Sequence, residues 1–179
     1  MKSKLITKGV FLTLAAMSMS VAVWAQNDKA NRPSPPATAT GKIGDATITV
    51  NYSSPSVKGR QIFGSLVPYD KAWRAGANEA TIFETDKAIT VEGKPLPAGK
   101  YSLFAVPGEK EWSIIFNSET GQWGVKSGGV ANHDPAKDVL TVTAKPTKSA
   151  ALNERLVYDV TSNGLTLRWE NVEVPISIK

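Results

Sequence analysis

Apolar and polar residues alternate with a period of two along most of the chain after residue 46. This period places one row of side chains on the buried face of a β-strand and the other row on its exposed face. Segments with this pattern or with strand-like composition are 47–52, 81–85, 88–92, 100–106, 112–117, 140–144, 154–161, 165–170 and 172–178. The pattern therefore predicts about nine strands and no long helix.

Turn-forming residues separate the predicted strands. The run 106–109 has proline second and glycine third, as a type II turn requires, and 96–99 has proline second and glycine fourth, as in type I. Short strands joined by such turns predict an all-β fold, a single antiparallel β-sandwich (jelly-roll-like or similar) of about eight to ten strands. Only 64–74, with Tyr69 and Trp73 four residues apart, suggests a short helix or turn, so at most one or two short helices are expected.

The inward-facing rows define the expected core. These residues are Ile48, Val50, Leu103, Trp112, Ile114, Phe116, Leu140, Val142, Leu167, Trp169 and Ile176.

Residues 1–25 have the three-part pattern of a secretory signal peptide. Lys2, Lys4 and Lys8 precede a mainly apolar run, which ends with Val23 and Ala25 at the positions expected for small residues before a cleavage site. The run is shorter than the roughly 20 apolar residues of a membrane helix. We therefore predict cleavage after Ala25, export to the periplasm or the extracellular space, and no integral membrane span after cleavage.

The segment 26–41 reads QNDKANRPSPPATATG and has three prolines and few apolar side chains. Such a composition buries too little apolar surface to offset the entropy lost on ordering. It predicts a flexible, proline-rich leader, with the β-sandwich domain spanning 42–179.

Composition excludes several kinds of chemistry. The chain has no cysteine and one histidine, which rules out a thiol nucleophile, an iron–sulfur cluster, a cysteine-rich zinc site and a two-histidine metal site within one chain. The net charge of +5 includes the three lysines of the signal peptide, and the other basic residues are scattered. We therefore expect no cofactor, no metal and no nucleic-acid partner.

The single histidine and its neighbours are weak candidates for a site. His133 lies in an Ala-Asn-His-Asp-Pro run that is typical of a turn, which predicts a histidine on a surface loop. Asp134 and Asp138 supply oxygen ligands of the kind that calcium prefers, but their spacing matches no known calcium loop.

The stretch 54–81 contains the strongest candidates for ligand binding. Arginine grips carboxylates or phosphates, and tryptophan offers a flat face to a sugar or a cation. In the structural alternative, which composition favours, Trp73 plugs one end of the sandwich and Arg74 forms an internal ion pair with Glu79. The candidate ligand-binding residues are Arg60, Trp73, Arg74, Asn78 and Glu79.

Three segments resemble the exported bacterial family catalogued as domain of unknown function 2911: SPSVKGRQIFGSLVPYDKAWRAGANEAT, GKPLPAGKYSLFAVPGEKEWSIIFN and QWG. The likeness runs from about Arg32 to the C-terminus. It implies a signal peptide, a compact β-rich domain and no assigned activity, and it supplies no catalytic residue. It also implies that the five candidates are signature positions, without deciding between fold and function.

The usual catalytic motifs, such as Gly-x-Ser-x-Gly and the phosphate-binding loops, do not occur in the sequence. The sequence therefore favours an exported, non-catalytic binding or cell-envelope accessory module over an enzyme. Its partner would be a small molecule, a glycan or an envelope protein. The alternative is a carboxylate-dependent hydrolase of an extracellular glycan, with Glu79 and either Glu84 or Asp86 as the carboxylate pair.

Overall fold

Ten antiparallel strands and one 3-10 turn form the secondary structure of residues 29–179, the part of the chain that the computed structural model describes. The signal peptide predicted for 1–25 lies outside these residues. The strands are β1 (Pro36–Ile43), β2 (Ala46–Ser53), β3 (Thr81–Thr85), β4 (Ile89–Val91), β5 (Lys94–Leu96), β6 (Gly99–Val106), β7 (Trp112–Asn117), β8 (Asp138–Ala144), β9 (Thr147–Thr161) and β10 (Gly164–Ser177), and the 3-10 turn is Pro135–Lys137. The prediction of an all-β fold is confirmed.

The strands form two layers. One layer is a six-stranded sheet in the order β1-β2-β3-β6-β7-β8, and the other is the long β9–β10 hairpin. The short β4–β5 hairpin is tied to the C-terminus, because the backbone N–H of Thr90 donates to the carbonyl of Lys179. Among residues 29–179, no helix is long and apolar enough to cross a membrane.

The core lies between the sheet and the hairpin. Ile48 and Val50 of β2 face Leu156 of β9 and Leu165 of β10 in one cluster of buried residues. The predicted core is buried except for Leu140, which is partly buried and packs against it. The period of two found these residues because every second side chain of each strand points into the space between the layers.

The first strand corrects the prediction of a leader over 26–41. Residues 36–41 are part of β1, whose residues pair antiparallel with β2 from Pro36 opposite Ser53 to Ile43 opposite Ala46. The threonines and alanines of β1 carry little apolar signal, but pairing with β2 satisfies the backbone groups on that side of the strand. Folded structure therefore begins before Lys42.

The long connection from β2 to β3, residues 54–80, forms turns and isolated bridges, and the stretch 64–74 contains no helix. Its first part pairs with β9, since the N–H of Val57 donates to the carbonyl of Glu154. Its last part pairs with β6, where Trp73 and Ala105 exchange two backbone hydrogen bonds of 2.7 and 2.9 Å. The connection is thus held at both ends by the two layers.

Candidate functional site

Two cavities lie beside the β2–β3 connection and share four wall residues, Leu66, Val67, Trp73 and Arg74. The larger, which we call the main cavity, has a volume of about 230 Å³. The smaller, the side cavity, has a volume of about 90 Å³. The main cavity is completed by Ser34, Pro55, Arg60, Gly76, Ala77 and Trp169.

Arg74 is half-buried in the wall between these cavities and has no counter-ion among residues 29–179. Its Nε atom is buried and makes no hydrogen bond with any described residue. Burial lowers the pKa of the guanidinium, but arginine remains protonated at any physiological pH. Burying a charge without a partner costs free energy, so the burial of Arg74 lowers the free energy of unfolding.

Trp169 also lines the main cavity and has a buried indole N–H that is unpartnered within residues 29–179. The residue is 1% exposed, and its indole Nε1 is buried without a hydrogen-bond partner among the described residues. Its ring stacks on that of Trp73, with centroids 5.8 Å apart and planes at 17°. The Nε1 of Trp73, in contrast, donates to the carbonyl of Gly76 at 3.1 Å.

The turn that carries Arg74 is fixed by the core. Ala75 has a positive φ of 51°, which a residue with a side chain rarely adopts. Its carbonyl accepts two hydrogen bonds, one from Oγ1 of Thr81 at 3.0 Å and one from the hydroxyl of Tyr158 at 2.7 Å. Such strained backbone persists where surrounding contacts hold it and is enriched at functional sites.

Arg60 lies at the rim of the main cavity. Its Nε donates to the carbonyl of Val57 at 2.9 Å, and its Nη2 donates to the carbonyl of Ser56 at 2.6 Å. These bonds fix the guanidinium and leave part of its donor capacity unused, since arginine has five N–H donors.

Glu79 holds the segment 29–35, which we call the N-terminal strap. Both of its carboxylate oxygens lie 3.0 Å from Nη1 of Arg32, and one lies 3.2 Å from Nζ of Lys29. Burial by itself raises the pKa of Glu79. Its own backbone N–H and the cationic side chains of the strap outweigh burial, so the pKa is lowered. Glu79 therefore remains ionised at neutral pH.

Asn78 also holds the strap, because its Nδ2 donates to the carbonyl of Ser34 at 3.0 Å. Ser34 lines the main cavity, so the strap forms part of the cavity wall. Arg32 lies over the ring of Trp123, 6.0 Å from its centroid. The strap is thus attached through side chains of both the 78–79 turn and the QWG segment.

The five candidate residues therefore divide into two groups. Arg60, Trp73 and Arg74 line the main cavity, whereas Asn78 and Glu79 bind the strap. The internal ion pair expected in the structural alternative is not formed, since the partners of Glu79 are Arg32 and Lys29. The 54–81 cluster thus supplies a cavity lined by cations and, beside it, the attachment of a strap.

Sequence reasoning missed two participants. Trp169 was expected only as a core residue, and nothing in the sequence shows that its indole N–H lacks a partner. Gly124 was noted only within the QWG segment, yet a Cβ atom at this position would overlap the side chain of Arg74. Arg74 of the Trp-Arg segment therefore packs directly against Gly124 of the QWG segment. The two segments are far apart in the sequence, so the sequence alone does not show this contact.

The charge of both cavities has one sign. The main cavity is lined by Arg60 and Arg74, and the side cavity by Lys71 and Arg74. No aspartate or glutamate of residues 29–179 lines either of them. Such a cavity attracts anions.

A wider cavity of about 650 Å³ lies at the edges of β8 and β10. Among the described residues, its wall has charges of both signs, Glu92, Glu111 and Lys145, and no aromatic side chain. Because its described wall residues carry two carboxylates beside one cation, it is a weaker candidate for an anion site despite its larger volume.

His133 lies on a loop, as predicted, but its side chain is mostly buried and not at the surface. Its side chain is 10% exposed, and its Nε2 lies 2.7 Å from Oδ1 of Asp138. The ring packs on Phe104, with centroids 5.0 Å apart. Residues 118–137 fold over the outer face of the six-stranded sheet, where Phe104 and Ile115 form a small second core. The loop therefore buries the histidine.

The two aspartates near His133 are engaged within the protein. Oδ1 of Asp134 accepts from the N–H of Ala136 at the start of the 3-10 turn, and Asp138 accepts from Nδ2 of Asn117. Within residues 29–179, no group of three or more His, Cys, Asp or Glu side chains is placed to hold a metal ion.

The carboxylates considered for glycan hydrolysis are also engaged. Glu84 lies 3.0 Å from Nζ of Lys100, and Asp86 accepts from the N–H of Thr47 at 2.7 Å. The hydrogen bond from the Thr47 backbone lowers the pKa of Asp86, and the pKa of Glu79 is lowered too. A general acid of a glycosidase needs a raised pKa, so neither Asp86 nor Glu79 suits that role.

A family model described as protein of unknown function (DUF2911) matches residues 34–178. Comparison with curated proteins gave no match, and comparison with solved structures gave none.

Proposed function

The chain belongs to the DUF2911 family, whose function is unknown. We propose that it is an exported, non-catalytic binding or cell-envelope accessory module. In this proposal its main cavity binds a small anionic ligand. The ligand contacts the guanidinium of Arg74, with Arg60 at the rim.

One observation carries this proposal. Arg74 and Arg60 both line the main cavity, and neither has a carboxylate partner among the described residues. Two positive charges in the wall of one cavity attract an anion. A bound anion would neutralise the guanidinium of Arg74, which has no counter-ion among residues 29–179.

The supporting architecture suits binding better than turnover. The cavity wall comes from the strained but well-held Ala75 turn, the stacked indoles and the strap, so its geometry is largely preformed. A catalytic site also needs a nucleophile or a general acid with a suitable pKa. In the part of the chain that the structure describes, no carboxylate or histidine side chain lines the main cavity.

The binding proposal is tested by thermal unfolding of the purified protein in sodium phosphate, sodium sulfate and sodium butanoate at constant ionic strength. A ligand that binds only the folded state raises the melting temperature as its concentration passes the dissociation constant. We expect at least one of these anions to stabilise the wild type and to lose this effect in Arg74→Gln.

The matched control is Lys87→Gln, which removes one positive charge from an exposed side chain that lines neither cavity. It should respond to anions like the wild type. Sulfate and phosphate also stabilise proteins without binding a site. The evidence for binding is therefore the difference between the rise in melting temperature of the wild type and that of Arg74→Gln. If no anion gives such a difference, the proposed function is wrong.

Export is tested separately by mass spectrometry of the protein purified from its native host. A mature N-terminus at Gln26 is expected. An intact Met1 in a cytosolic fraction would contradict export.

A further inference from the structure

We propose that an exposed apolar surface beside the side cavity, flanked by cations, binds a lipid bilayer with anionic headgroups. This docking surface is formed by Leu66, Trp123 and Val130, whose exposed fractions are 47%, 50% and 67%. The proposal goes beyond the ligand of the main cavity, because it concerns side chains on the outside of the protein.

Leu66 and Val130 come from different loops that meet at the side cavity. Leu66 is itself a wall residue of this cavity. Gly129 and Ala131, which precede and follow Val130 in the chain, are wall residues as well. The two exposed aliphatic side chains are therefore neighbours around one cavity.

Trp123 lies beside the same cavity. The next residue, Gly124, packs against Arg74, which is part of the cavity wall. Single exposed apolar side chains are common on proteins, but a group of them rimmed by polar residues marks an interaction surface. Trp123 thus extends the exposed apolar surface from two side chains to three.

A tight turn holds Val130 in solvent. Val125 and Ala131 form an isolated antiparallel bridge at the base of this turn. Within it, the N–H of Lys126 donates to the carbonyl of Val130 at 2.8 Å, and the N–H of Gly129 donates to the carbonyl of Lys126 at 3.1 Å. Because these bonds fix the loop before it meets a partner, little ordering entropy is lost on binding.

Cations flank the docking surface. Lys71 lines the side cavity, and Lys126 belongs to the turn that presents Val130. Arg32 lies over the ring of Trp123, 6.0 Å from its centroid. A surface with this excess of positive charge attracts an anionic partner.

The nearby carboxylates do not cancel this charge. Glu79 is paired with both Arg32 and Lys29, so this group of three keeps a net positive charge. Oδ1 of Asp70 lies near the turn at Gly108, 4.0 Å from where a Cβ atom of that residue would be, and Gly108 lines neither cavity. The docking surface is thus complementary to a negatively charged surface.

A bilayer fits these side chains better than a protein partner does. Tryptophan is enriched at membrane–water interfaces, where its ring lies at the level of the headgroups. Apolar side chains at loop tips can enter the boundary of the acyl chains while lysines contact anionic headgroups. Lysine is depleted in interfaces between proteins. Lys71 and Lys126 beside the apolar tips therefore favour lipid as the partner.

The test is co-sedimentation of the purified protein with vesicles of phosphatidylglycerol and phosphatidylcholine in equal parts, beside vesicles of phosphatidylcholine alone. The wild type should bind the anionic vesicles, and its tryptophan emission should shift to shorter wavelength. Trp123→Ala should lack this shift. Trp123→Ala and Val130→Ser should each weaken binding by about fivefold or more, because each removes apolar surface that the bilayer buries.

Matched variants separate the docking surface from the rest of the protein. Leu152→Ser changes a side chain that is 58% exposed on β9, in the other layer, and should bind like the wild type. Lys126→Gln should weaken binding about fivefold, the expected effect of one cation near an anionic bilayer. Lys87→Gln removes an exposed lysine that lines neither cavity and should change binding less.

Three results would overturn the proposal. Equal binding to neutral and anionic vesicles would contradict the role of the cations, and equal losses for Leu152→Ser and Trp123→Ala would contradict the position of the surface. Absence of vesicle binding, with or without self-association that Trp123→Ala abolishes, would exclude a bilayer as the partner. The main cavity is tested with soluble anions and no vesicles, so either proposal can fail while the other stands.

Discussion

Gly124 packs so closely against Arg74 that a Cβ atom at position 124 would overlap Cδ of the arginine. The same atom would lie 2.9 Å from the carbonyl oxygen of Asn78, whose bond from the N–H of Gly124 fixes the two loops together. The position of the guanidinium therefore depends on a residue without a side chain, fifty positions further along the chain.

Gly124→Ala should displace Arg74 and destabilise the protein. Overpacking of this kind costs typically about 1–3 kcal/mol, which chemical denaturation would measure. In the double variant with Arg74→Ala, part of this loss should be recovered, because the overlap with Cδ is gone. Fully additive losses would show that the glycine does not position the arginine.

The carbonyl of Ala75 should tolerate the loss of one donor better than the loss of both. Tyr158→Phe removes one of its two hydrogen bonds and should cost about 1 kcal/mol. Adding Thr81→Val leaves a buried carbonyl unpaired, so the double variant should lose more than the sum of the single variants. Unfolding of the two single variants and the double variant measures this coupling, and simple additivity would contradict it.

Glu79→Gln should loosen the N-terminal strap without unfolding the domain. The ion pairs with Arg32 and Lys29 are about one-third exposed or more, so the loss of global stability should lie within about 0.2–1 kcal/mol. Limited proteolysis with trypsin should cut the variant faster after Lys29, since Pro33 protects the bond after Arg32. The control is Glu84→Gln, which loses an exposed pair with Lys100 away from the strap. Equal cleavage of both variants would contradict the role of Glu79.

The strap should also respond to acid. Because the pKa of Glu79 is lowered from 4.5 in the folded protein, its ion pairs contribute stability that is fully present above that value and is lost as the pH falls through the folded-state pKa. Fluorescence of Trp123, which lies under Arg32, should change in this acidic range. The Glu79→Gln variant should lack this transition, and an unchanged transition would assign it to another group.

The fold could be predicted largely because burial leaves a periodic trace. Alternation identified strands such as β3, whose bounds of Thr81–Thr85 agree with the prediction. It failed for β1, whose Thr38 and Thr40 pair with Asn51 and Thr49 of β2 through backbone and side-chain polar groups. Edge strands of small and polar residues leave no hydrophobic period to read.

The site was only partly predictable for a different reason. Arginine and tryptophan in an irregular segment pointed to Arg60, Trp73 and Arg74, which line one cavity, and their role in ligand binding stays a prediction. Which charged side chains pair depends on the folded structure. Glu79 pairs with Arg32 of the strap and not with Arg74, the partner expected in the structural alternative. Likewise, the indole N–H of Trp169 has no hydrogen-bond partner among the described residues. This depends on how the ring packs, which the sequence does not show.

The most direct test of a ligand role for Arg74 is the thermal stability of Arg74→Met without any ligand, beside wild type and Arg168→Met. Arg168 is a paired control, since it binds Asp159 and Glu173. An unpaired, half-buried guanidinium costs stability, so Arg74→Met should melt at the wild-type temperature or above it, whereas Arg168→Met should melt below it. A drop for Arg74→Met equivalent to about 3–5 kcal/mol, the usual cost of breaking a buried ion pair, would make Arg74 a structural residue and contradict the account.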